Sequence, residues 1–112
     1  MSDLIFYVLP SIKLKERQKD GALLAESGER EEALTALYAD QVELFCNRMY
    51  SGQNGILLLV IQTTRLSAPV RNQVIAGEPH PVIGGPLNMD AIMDKIELEP
   101  NESGEFEVEI SV

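Results

Sequence analysis

The chain has one cysteine, one histidine, no tryptophan and only 5% aromatic residues in 112 positions. Cys46 alone cannot form an internal disulfide, and Cys46 with His80 cannot assemble a zinc site, so no metal is expected. Bases are scarce too. Nine Lys and Arg against eighteen Asp and Glu give a net charge of -9, and a surface of that sign repels phosphate backbones. Nucleic acid is therefore not an expected partner. The longest apolar run, Ile56 to Ile61, is six residues, against roughly 20 for a membrane-crossing helix. No basic leader precedes Leu4 to Leu9, so the expected location is cytoplasmic, with no membrane partner.

What is present fits one globular domain over residues 1–112: 45% hydrophobic and 24% charged residues lie at the globular average. The acidic excess is uneven. From Asp90 to Val112 there are eight acids and the single base Lys95, which accounts for seven of the nine net charges. That end reads as a solvated face.

The hydrophobic patterning predicts alternating elements. Leu4 to Leu9 reads as a strand stopped by Pro10. Ser11 is placed to cap a helix to about Asp20, with Gly21 as its stop. Ala22 to Glu32 reads as a loop, and Ala33 to Leu37 suits a short strand or a helix that continues through Tyr50. Over Asp40 to Tyr50 the spacing of Val42, Phe45, Cys46 and Met49 marks one helical face, making Cys46 a packed core thiol. The run Ile56 to Ile61 predicts a central strand covered on both faces. Pro69 to Ile75 reads as an edge or neighbouring strand, Glu78 to Asn88 as a structured loop, and Ile92 to Leu98 as extended. Phe106, Val108, Ile110 and Val112 alternate with polar residues, the period of a half-buried antiparallel strand.

Candidate chemistry is sparse. His80 stands between Pro79 and Pro81, which would hold it in extended backbone as a general base or ligand contact requires. No nucleophile accompanies it at a known spacing. Gly84-Gly85-Pro86 lacks the spacing and lysine of a phosphate loop and reads as a tight turn. Lys13, Lys15, Arg17 and Lys19 read as solubilising charges spread around a helix. Arg65 and Arg71 flank Leu66-Ser67-Ala68-Pro69, and guanidinium forks suit diphosphate as well as structural ion pairs.

Taken in order, Ile5-Phe6-Tyr7, the strand Leu57 to Ile61, Leu66-Ser67-Ala68-Pro69-Val70-Arg71 and above all Gly85-Pro86-Leu87-Asn88-Met89-Asp90-Ala91-Ile92 resemble the domain of unknown function 952 family of small bacterial proteins. The resemblance covers nearly the whole chain and puts Ala33 to Leu37 on a family strand. It implies an α+β fold of the ADP-ribosyltransferase-like type: a twisted, mostly antiparallel split sheet of about six or seven strands with two helices. The enzymes sharing that fold have a nicotinamide nucleotide cleft.

The polar positions depart from the family pattern. Tyr7 stands where the family has histidine, and Ala33 to Leu37 where it reads Phe-Ile-His-Cys-Ser. Asn72-Gln73 replaces Trp-Glu, and either Val82 or, with a two-residue shift, His80 takes a second histidine position. Gln73 matters most, because an amide neither takes up a proton at neutral pH nor stabilises a developing cation by charge. The resemblance thus implies a cleft lined by Tyr7, Thr35, Arg71, Gln73 and either His80 or Val82, with its catalytic groups lost. The expected function is noncatalytic, binding a small molecule or a protein without a resident cofactor. The alternative is an NAD- or nucleotide-dependent transferase using Tyr7, Thr35 and Gln73 in altered roles. A homodimer through an exposed strand edge is a third expectation.

Overall fold

In the computed structural model, which describes residues 3–23 and 33–110, β1 (Leu4–Pro10), β5 (Ile56–Gln62) and β9 (Ile92–Leu98) form one antiparallel sheet with β5 in the middle. The central strand and the first strand both match the sequence reading. Their side chains divide by parity. Ile5, Tyr7, Leu9, Leu59 and Ile61 enter a cluster on one face, while Phe6, Val8, Ile56 and Leu58 enter another on the opposite face. A strand covered on both sides needs an unbroken apolar run, because neither face meets water. Full burial of a side chain such as Phe6 stabilises by about 1.5–3 kcal/mol.

A second sheet has the order β4 (Leu34–Thr35), β7 (Glu78–Ile83), β6 (Val70–Ile75). It joins the first through a bridge in which Phe6 and Leu37 exchange backbone bonds of 2.9 and 2.7 Å. Three short strands, β2 (Gln18–Lys19), β3 (Ala22–Leu23) and β8 (Leu87–Asn88), make the third. With α1 (Ser11–Arg17) and α2 (Val42–Tyr50), the fold is α+β: nine described strands, all paired antiparallel, and two helices. The expectation of six or seven strands undercounts the short pairs. No helix of the described residues is long and apolar enough to cross a membrane.

Four elements differ from the sequence reading, each for an identifiable reason. Pro10, not Ser11, occupies the N-cap of α1, and the Ser11 N–H instead donates to the Gly55 carbonyl at 2.7 Å. The helix ends at Arg17, because Asp20 (φ 52) and Gly21 (φ 79) turn the β2–β3 hairpin. Asp-Gly supplies the two left-handed positions a tight hairpin needs. The predicted loop Ala22 to Glu32 thus begins with β3, and residues 24–32 lie outside the described ones.

Glu78 to Asn88 is not a loop: it contains β7 and β8. Prolines are admitted to β7 because Pro81 turns its polar side away from β6. Its carbonyl accepts from the Ala36 N–H at 2.8 Å, and that of Pro79 accepts from the Gln41 side chain at 2.7 Å. In a strand the missing N–H lies on the same side as the residue's carbonyl, so the β6 ladder loses nothing.

Residues 105–110 keep the expected alternation in burial yet form no strand. The backbone bonds go to a helix. Asn47 accepts from the Phe106 N–H at 2.6 Å and donates to its carbonyl at 3.1 Å, and Glu43 accepts from the Val108 N–H at 2.8 Å. Four helical residues rise about 6 Å and two extended residues about 6.6 Å, so Glu43 and Asn47 match Val108 and Phe106 in spacing. Val112 lies outside the described residues.

Candidate functional site

α1 follows β1 directly, and α2 packs on β1 through Val42 and Cys46, which share a core cluster with Phe6 and Val8. Between them opens a cleft of about 390 Å³. Its floor is the end of β1, including Tyr7; α1 contributes Lys13 and Arg17; α2 contributes Phe45, Met49 and Tyr50; Thr35 and His80 come from β4 and β7. A second cavity of about 320 Å³ shares Thr35, Phe45, Met49 and His80 with the first and adds Arg48 and Glu78.

Of Tyr7, Thr35, Arg71, Gln73 and the alternatives His80 and Val82, the cleft is lined by Tyr7, Thr35 and His80, and Arg71, Gln73 and Val82 are not among its described lining residues. The register explains the near miss. Thr35 lies opposite Val82, Arg71 opposite Val82, and Gln73 opposite His80. Residues directly opposite, and alternate residues along a strand, share a face, so all five occupy one face of this sheet. The face extends past the cleft. Val82 is buried within it, while Arg71 and Gln73 are exposed on the edge strand. Of the two alternatives, His80 lines the cleft and Val82 is not among its described lining residues.

The His80 Nδ1 lies 3.3 Å from the Ala36 carbonyl. A carbonyl only accepts, so this contact is a hydrogen bond when Nδ1 carries a proton. Arg17 donates to the Tyr7 hydroxyl at 2.6 Å, with its guanidinium 5.3 Å from the centre of the same ring. Lys13 pairs with Glu16 at 3.2 Å. Phe45 and Tyr50 meet edge to face, ring centres 6.0 Å apart, in the arrangement that aromatic quadrupoles favour.

Of the four basic residues read as solubilising, Lys15 and Lys19 are exposed, whereas Lys13 and Arg17 line the cleft. Lys13 and Arg17 are four apart, which sets them on one helical face, and that spacing was the available signal. Met49, expected in the core, is 53% exposed at the cleft wall, whereas Val42 and Cys46 from the same predicted face are fully buried. Burial, with a smaller contribution from Glu43, pushes the Cys46 thiol up to about 11, consistent with a packed thiol.

Two of the motifs that carry the family resemblance, Leu66 to Arg71 and Gly85 to Ile92, meet away from the cleft. Asn88 accepts from the Ser67 N–H at 2.8 Å and donates to the Arg65 carbonyl at 2.9 Å. A Cβ on Gly85 would stand 3.1 Å from that of Ala68, so the Gly84-Gly85 bend and the Leu66 to Pro69 turn pack closely. These residues hold the scaffold. Arg65 is exposed beside this junction and does not line the cleft among the described residues.

No family model matches the chain, and no curated protein matches it. Solved structures do. The crystal structure of protein CC0527 from Caulobacter crescentus is similar over 93% of both chains, with a TM-score of 0.79 and 15% identity. A double mutant of that protein gives 0.79 at 14% identity, with the same coverage. Its solution structure gives 0.78 at 15%, covering 93% of this chain and 91% of that one. The α+β fold described above is thus one that this Caulobacter protein shares over nine-tenths of both chains.

Proposed function

We propose that the chain is a noncatalytic ligand-binding domain whose cleft takes a small anionic molecule with a planar or apolar portion. The observation that carries this reading is the charge of the cleft. In a protein of net charge -9, Arg17 and Lys13, the latter paired with Glu16 outside the lining, line it and no carboxylate does among its described lining residues. A cationic recess on an acidic surface attracts anions locally while the rest of the molecule repels them. Phe45 and Tyr50 offer aromatic surface for the remainder of the ligand.

The resemblance to the domain of unknown function 952 family makes nicotinamide nucleotides the first probes. Isothermal titration with NAD and with ADP-ribose, accompanied by an assay for nicotinamide release, tests the proposal. Binding that Arg17→Ala weakens about tenfold, without NAD consumption, is the expected result. Nicotinamide release would favour the transferase reading, and no heat with either compound would favour a protein ligand.

A further inference from the structure

The three-stranded sheet ends on β9, and no described strand pairs with the outer side of that strand. The edge is long, seven residues, and carries exposed apolar groups: Met93 is 50% and Ile96 40% exposed. Open edges of this kind recruit another strand unless something blunts them. The C-terminal segment does not cover this edge with a ladder of its own, because Phe106 and Val108 direct their N–H groups to α2. The Lys95 N–H is held only locally, by the carboxylate of Asp94 at 2.9 Å, a bond that a strand carbonyl can replace.

We infer that β9 pairs antiparallel with β9 of a second copy of this chain, with Ile96 at the centre. Symmetry narrows the register. A two-fold axis normal to the sheet keeps every side chain on its own face, so one residue must lie opposite its own copy. With Asp94, Lys95 or Glu97 at the centre, like charges would stand directly opposite, which is destabilising. Centring on Ile92 or Met93 would drive the ladder into the turn Met89–Ala91, and centring on Leu98 would drive it into Pro100, which has no N–H to donate. Ile96 meets none of these objections.

In that register Ile96 packs on Ile96 of the second copy. Lys95 faces Glu97 of the second copy, and Glu97 faces its Lys95, giving two complementary pairs related by the axis. Only the residues 94–98 overlap within the strands, so the interface is small and the association weak and concentration-dependent. The acidic surface of each copy opposes it further, which makes the one complementary stretch the more selective.

Sedimentation equilibrium across micromolar to millimolar concentrations tests the inference. The weight-average mass should rise from one copy toward two. Lys95→Glu or Glu97→Lys alone sets like charges opposite each other and should weaken dimerisation about tenfold, whereas the double exchange K95E/E97K should restore it. Both positions are exposed, and unchanged circular dichroism verifies that each of the three variants folds. A mass of one copy at every concentration overturns the inference, as does a dimer that both single variants leave intact or that the double exchange fails to restore.

Discussion

Arg17 both donates to the Tyr7 hydroxyl, at 2.6 Å, and lies over the Tyr7 ring, 5.3 Å from its centre. Helix α1 is only seven residues long and buries none of them completely, and this double contact ties it to β1. It also fixes one cation of the cleft in place.

Tyr7→Phe keeps the ring and removes the hydrogen bond, and a bond to a charged donor contributes about 1.5–3 kcal/mol. Because Arg17 remains half-buried rather than sealed off, the lower end is expected, about 1.5 kcal/mol in urea denaturation. The same variant should loosen binding of an anionic ligand less than Arg17→Ala does, since the charge stays. Equal effects from the two variants would show that the hydroxyl, not the guanidinium, carries recognition.

Cys46 is fully buried, and its pKa is raised from 9.0 to about 11. A raised folded value means that the folded state holds the thiol proton more tightly than the unfolded chain. The stabilisation is therefore complete below pH 9 and declines as the pH rises toward 11, with a limiting slope of about 1.4 kcal/mol per pH unit. The stability difference between the native protein and Cys46→Ala, measured by denaturation at pH 8, 9 and 10, should shrink along that series. A difference independent of pH would refute the account, and a thiol reagent should modify Cys46 only on unfolding.

Asn47 ties both backbone groups of Phe106 to α2. Asn47→Ala leaves a part-buried donor and acceptor without these partners, at a cost of about 1–3 kcal/mol. The loss should be local first: amide exchange at Phe106 and Val108 should accelerate before exchange in β5. Uniform acceleration across both regions would mean that the segment opens only with the whole domain.

Much of the fold was legible because burial imposes periodicity. The apolar runs of β1 and β5 mark strands covered on both faces, and the Val42, Cys46 spacing marks the inward face of α2. β7 was illegible for the opposite reason. Two prolines argue against a strand unless their donorless sides point away from one ladder, and that depends on where β4 and Gln41 come to rest. The candidate site was half legible. Tyr7, Thr35 and His80 converge as expected, whereas Lys13 and Arg17 sit on a short helix whose sequence resembles any solvated one.

By itself the sequence determined that β1 and β5 are covered on both faces, that Cys46 lies on the inward face of α2 and that the surface is acidic, since each follows from local residue chemistry or composition. Tertiary structure decided the rest. Whether Phe106 to Ile110 found another strand or the side chains of Glu43 and Asn47, and whether Gln73 entered the cleft or stayed on the edge beside it, depended on residues far apart in the chain arriving within hydrogen-bonding reach. Alternation and helical spacing report which side of an element is apolar; they carry no record of what that side will meet.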